Sequence, residues 1–122
     1  RLDAASVEYR AAAAAFDSAL PETHPVRAIP YVNLAKLDAR RGAFADAERY
    51  GREAVRLSAQ SFPEGDPMQG HARTRLGRAL LAQGRRADGL RQLDAGLAIL
   101  RAQPDTDPDA LAEIEGWRTD PR

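Results

Sequence analysis

The side chains of this 122-residue chain that could do chemistry are few and scattered. His24 and His71 are its only imidazoles, and there is no cysteine. A zinc site takes Cys, His or carboxylate ligands in closely spaced pairs. No His-x-x-x-His pair and no acidic cluster at ligand spacing provides them here. Glu48 with Glu53, or Glu113 with Glu115, could be drawn as paired carboxylates for general acid–base work. Arg49, Arg52 and Arg56 surround the first pair at the spacing of helix-surface ion pairs, so a solvated, salt-bridged face is the expected reading. No glycine-rich phosphate loop follows a strand, and no Ser–His–Asp arrangement suggests itself. The chain reads as non-enzymatic, with no cofactor and no metal.

Arginine is the remaining candidate for chemistry. Arg73, Arg75, Arg78, Arg85, Arg86 and Arg91 make the middle of the chain locally basic. A nucleic-acid surface would add a net positive charge and interleaved aromatics. Here eighteen basic residues balance eighteen acidic ones, and no aromatic lies among these arginines. No apolar run approaches the ~20 residues of a membrane span. Neither nucleic acid nor membrane is an expected partner, and the expected compartment is the cytoplasm. Lys36 is the only lysine, and this bias toward Arg, with abundant Ala and Asp, points to a GC-rich bacterial genome. The chain opens at Arg1 without a Met or a signal sequence and reads as a piece of a longer bacterial multidomain protein.

The elements that must position these residues are announced by a repeat. A proline-framed pentad occurs three times: Pro-Glu-Thr-His-Pro at 21–25, Pro-Glu-Gly-Asp-Pro at 63–67 and Pro-Asp-Thr-Asp-Pro at 104–108. Pro21 and Pro63 are 42 residues apart, and Pro63 and Pro104 are 41 apart. A fixed period in this range marks a stacked array, whose units bury their apolar faces against one another. Gly42 and Gly84 stand where a helix would stop with positive φ. Thr23 or His24, Asp66 and Asp107 can cap the helices that follow, with Pro25, Pro67 and Pro108 in the first turn. The spacing of Leu34, Leu37, Phe44, Ala47, Ala54 and Leu57, and then of Leu76, Leu80, Leu90, Leu93, Leu97 and Leu100, is helical. Helices are therefore expected near 3–20, 26–41, 44–61, 67–83, 86–102 and 108–118, with no strand. Pro30 requires the second to kink or to begin near Ile29. One domain, 1–122, is expected to comprise an orphan second helix (1–20), two full units (21–62 and 63–103) and a partial or capping unit (104–122).

These units resemble tetratricopeptide repeats, whose first helix reads W-x-x-L-G-x-x-Y and whose second carries A-x-x-x-F followed by Ala. Tyr31, Leu34, Ala35 and Asp38 fall on the first-helix pattern, and Arg73, Leu76, Gly77 and Leu80 repeat it. Ala47, Gly51 and Ala54, then Gly89, Leu93 and Gly96, take the second-helix places. Ala35 with Ala47, and Gly77 with Gly89, are where paired helices can approach closely. The long period is similar to the 42-residue subclass seen in kinesin light chains. Asp38 and Gly51 depart from the pattern, standing where aromatics are usual. Gly89 and Gly96 each weaken a helix by ~1 kcal/mol relative to Ala.

The resemblance implies an all-α, right-handed α-solenoid of antiparallel helix pairs. It also implies a groove lined by first helices, here Asn33, Lys36, Arg40, His71, Thr74, Arg75 and Arg78. Asn33 matches the family's groove asparagine, and the four cations suit an acidic segment or a terminal carboxylate. The implied function is a protein-interaction module binding a peptide or a neighbouring domain. The alternatives are a structural or oligomerisation spacer, or a regulatory C-terminal region of a bacterial serine/threonine kinase. Segment 3–20 lacks its first helix, so a further expectation is that the N-terminal end either self-associates or frays.

Overall fold

The computed structural model describes residues 1–122 as six α-helices without a strand. They are α1 (Leu2–Ala19), α2 (Ala28–Arg40), α3 (Phe44–Ser61), α4 (Pro67–Ala82), α5 (Arg86–Arg101) and α6 (Pro108–Gly116). The pentads start helices by the expected chemistry. The backbone N–H of Met68 donates to the Asp66 carboxylate at 2.9 Å, and that of Asp109 to Asp107 at 3.0 Å. At the first pentad the cap is His24, whose Nδ1 accepts from Val26 at 3.2 Å. It opens a 3₁₀ turn, Pro25–Arg27, and the α-helix proper begins at Ala28. Pro30 then sits in the first turn, where its missing N–H has no intrahelical acceptor to lose. Gly42 and Gly84 take φ of +78° and +80°, the left-handed stop that lets the chain reverse into α3 and α5.

Successive helices are antiparallel, as the cross-contacts show. Ser6 meets Asp38 and Asp17 meets Arg27 between α1 and α2. Tyr31 meets Tyr50 between α2 and α3, and Phe44 joins Ala79 and Ala82 between α3 and α4. Helices α2 and α4 are both antiparallel to α3, so they run side by side in the same direction. Leu34, Ala35, Ala47, Ala54, Leu57, Leu93 and Leu97 are completely buried.

The α4–α5 pair is closely packed because of its glycines. A Cβ on Gly77 would lie 2.8 Å from Leu93 N, and one on Gly96 would lie 2.8 Å from the Gly70 carbonyl. The intrinsic helix penalty of Gly89 and Gly96 thus coincides with backbone-to-backbone contact that any side chain would prevent. By contrast α1 is held largely by polar ties. Arg27 and Tyr31 both bond to the Asp17 carboxylate, at 2.8 and 2.6 Å, and Arg41 bridges Asp3 and buried Asp38. Leu2 and Val7 of α1 are 37% and 56% exposed, and Ile29 of α2 is 40% exposed.

Beyond α6 the chain turns back over α4. Trp117 packs with Leu81, Leu93, Leu97, Leu100 and Ile114. Arg78 Nε donates to the Pro121 carbonyl at 2.8 Å, and Arg86 donates to that of Arg118 at 2.9 Å. Arg122 reaches the Ala82 carbonyl at 2.8 Å, with its guanidinium 5.4 Å from the Phe44 ring centroid.

Candidate functional site: a basic groove between α2 and α4

Side-by-side helices of one direction leave a furrow between them, and its floor is set by which residues each helix turns inward. On α2 the Leu34–Ala35 pair is buried, so the flanking Val32, Asn33 and Lys36 are left half-exposed along the rim. On α4 the buried stripe Gly70, Thr74, Gly77 and Leu81 faces α5, leaving Met68, His71, Arg75 and Arg78 half-exposed. Ile29, Val32, Asn33, Lys36, Met68, His71 and Arg75 together line a depression of about 260 Å³. Four of the seven residues proposed from the sequence therefore meet in one place. Arg40 is exposed farther along α2.

Thr74 is a correction. It is completely buried, its Oγ1 donates to the His71 carbonyl at 3.1 Å, and its methyl lies against Gly96 of α5. It shares the helix face of Gly70 and Gly77, so it packs the helix pair and lines no groove. Ile29, Val32 and Met68, which give the depression an apolar side, were not expected there. Their signal was available in the sequence, because each lies three or four residues from an expected groove residue on its own helix.

Arg75 and Arg78 are also less open than expected. Both lie over the Trp117 ring, their guanidinium carbons 5.2 and 4.8 Å from its centroid, on the cation-attracting face. Arg78 is further engaged by the Pro121 carbonyl. Arg75 Nε is buried with no hydrogen-bond partner.

The electrostatics of the groove are one-sided. Burial pushes the Arg75 guanidinium down to about 10, with Arg78 and Arg40 adding to the shift and Glu113 opposing it. Burial lowers Lys36, and Arg75 and Arg40 lower it further. Burial also lowers Arg78, with Arg40 adding to the effect and Glu113 and Asp120 opposing it. His71 is lowered by burial first and then by Arg75 and Lys36, against Asp66. Each cation here thus feels other cations, whereas the nearby carboxylates act only at a distance. Lys36, Arg40, Arg75 and Arg78 form no ion pair, although nine other arginines do.

Of the carboxylates considered for catalysis, Glu113 acts on the groove cations Lys36, Arg75 and Arg78, and the other three lie elsewhere. Glu48 pairs with Arg52 and Arg85, Glu53 with Arg56, and Glu115 with Arg101. No group of three or more His, Asp or Glu side chains is placed to hold a metal ion. No helix is long and apolar enough to cross a membrane. No protein-family model matches this chain, and no curated protein sequence matches it.

Proposed function

We propose that the chain is a non-catalytic interaction module of a larger bacterial protein, built as a tetratricopeptide-type right-handed solenoid. Its α2–α4 groove takes an acidic peptide segment or an acidic surface of a neighbouring domain. The observation that carries this reading is the buried, unpartnered Nε of Arg75 inside a cluster of four unpaired cations. A buried donor without an acceptor is costly, and like charges crowded together raise that cost. A carboxylate entering between Lys36 and Arg75 relieves both, through charge-assisted hydrogen bonds. Asn33 on the rim is an amide that can hold a ligand backbone, and Ile29, Val32 and Met68 offer an apolar side chain a seat.

The test is titration of a fluorescein-labelled hexaglutamate peptide against the chain. Lys36→Ala with Arg40→Ala, and separately Arg75→Ala and Arg78→Ala, should each weaken binding. So should raising salt, because exposed charges are screened over about 8–10 Å at physiological ionic strength. An affinity indifferent to all of these substitutions and to salt would favour the second reading, a structural spacer. That reading draws on the exposed Leu2 and Val7 of α1, where it expects self-association visible in sedimentation.

A further inference from the structure

We propose that the segment after α6, Arg118–Arg122, is a strap that lies along the C-terminal half of α4 and engages the groove cation Arg78, so that an acidic ligand must compete with it for that arginine. This rests on the groove reading above and adds regulation to that site. The depression at Asn33, Lys36, His71 and Arg75 occupies the N-terminal half of the furrow. The C-terminal half of α4, by contrast, already carries a stretch of chain. Arg78 donates to the Pro121 carbonyl at 2.8 Å, and Arg122 donates to the Ala82 carbonyl at 2.8 Å while lying over Phe44. Arg86 holds the Arg118 carbonyl at 2.9 Å, and Arg118 pairs with Asp94 of α5. These contacts fasten the strap to α4, to the start of α3, and to α5.

One of its contacts resembles that of a bound peptide, in that the groove arginine Arg78 grips the strap by a backbone carbonyl. The carboxylates that oppose the like-charge crowding of Arg78 are Glu113 on α6 and Asp120 on the strap itself. Neither forms an ion pair with Arg78, whose only hydrogen bond is to a neutral carbonyl. A carboxylate makes a charge-assisted bond to Arg roughly twice as strong as a neutral acceptor does. An incoming acidic side chain thus has a local advantage at Arg78, while the strap has the advantage of being tethered. Apparent affinity falls by the fraction of molecules whose groove is open, so a strap closed about nine-tenths of the time weakens binding about tenfold.

The experiment compares three proteins, the 122-residue chain, the same chain ending at Arg118, and the Arg122→Ala variant, each titrated with fluorescein-labelled hexaglutamate at low salt. Far-UV circular dichroism checks that the helices persist, and Arg122→Ala carries the test if the shortened chain does not fold. The expected result is binding about tenfold tighter for the shortened chain and by an intermediate factor for Arg122→Ala. Equal affinities for all three overturn the strap and leave the groove reading standing. Weaker binding on shortening also overturns it, by making the segment part of the ligand site. If none of the three binds hexaglutamate, the groove reading fails and the strap falls with it.

Discussion

Gly77 of α4 and Gly89 of α5 touch through their backbones: a Cβ on Gly77 would stand 3.0 Å from the Gly89 carbonyl oxygen. That contact fixes how α4 sits on α5, and therefore which side of α4 is left to face α2 and the groove. Gly77→Ala should cost about 1–3 kcal/mol, because the overlap is with backbone that cannot rotate away. This exceeds the helix-propensity gain of about 1 kcal/mol that Ala brings. Gly116, with nothing within 4 Å of its missing Cβ, is the control. There Ala should stabilise by a few tenths to about 1 kcal/mol. Urea denaturation of the two variants gives opposite shifts in midpoint if the contact has this role. A Gly77→Ala protein as stable as the parent would show that α4 and α5 can separate freely.

Features carried by local chemistry were legible in the sequence. The pentads, the capping Asp66 and Asp107, and the stops at Gly42 and Gly84 each act on neighbouring residues only. The expected helix starts match the observed ones outright at α3, α4, α5 and α6, lie one residue off at α1, and differ at α2 by the 3₁₀ turn that precedes it. Which way α4 rotates about its axis was only half legible. Gly70, Thr74 and Gly77 form one stripe at helical spacing, and reading Thr74 apart from that stripe put it in the groove. The strap was not legible at all. Arg78 with Pro121 and Arg122 with Ala82 are contacts across about forty residues between a helix and an irregular segment, and no periodicity marks such a pairing.

Asp17 is the chief tie between α1 and the rest of the protein. Burial pushes its carboxyl up, but the hydrogen bonds from Tyr31 and Arg27 outweigh that and leave it below the usual value of 3.8. Asp17→Ala leaves Arg27, which is only 7% exposed, without its partner. Hydrogen bonds to charged groups contribute about 1.5–3 kcal/mol, so the loss should be near 2 kcal/mol. Amide exchange in 2–19 should accelerate more than in α4 or α5. A carboxyl with a depressed pKa stabilises the fold fully above 3.8, and that contribution disappears as pH falls through the lower folded value. The acid limb of the stability profile should therefore be shallower in Asp17→Ala. Uniform exchange across all helices in that variant would mean α1 is held by other contacts.

Trp117 couples the end of α6 to the groove cations. It is 5% exposed, and both Arg75 and Arg78 lie over its ring. Truncation of a buried Trp to Ala typically costs about 3–5 kcal/mol. In Trp117→Ala the loss should include undocking of α6, seen as a fall in helix signal and faster exchange across 108–116. Trp117→Phe retains an aromatic face and should keep α6 in place. If Trp117→Ala leaves α6 protected, then Leu111 and Ile114 suffice to seat that helix.

His71 makes the groove sensitive to pH in two opposite senses. In the unfolded chain an ordinary histidine takes up its proton near 6.5, but in the folded protein burial, Arg75 and Lys36 hold His71 lower, against the weaker pull of Asp66. Between those two values the unfolded state binds more protons, so His71 makes stability fall as pH drops through that window and level off below it. An anion seated between Lys36 and Arg75 offsets the repulsion and raises the imidazole's pKa, so binding takes up a proton. By linkage, affinity for an acidic peptide should rise as pH falls across the same range, while stability of the unliganded protein falls. His71→Gln keeps a polar side chain without the titration and should flatten both trends. Urea melts and hexaglutamate titrations at pH 7.5 and 5.5, on parent and variant, read the two effects separately. Parent affinity that stays constant or declines on acidification, with His71→Gln indistinguishable from it, would place the bound anion away from His71 and out of the α2–α4 depression.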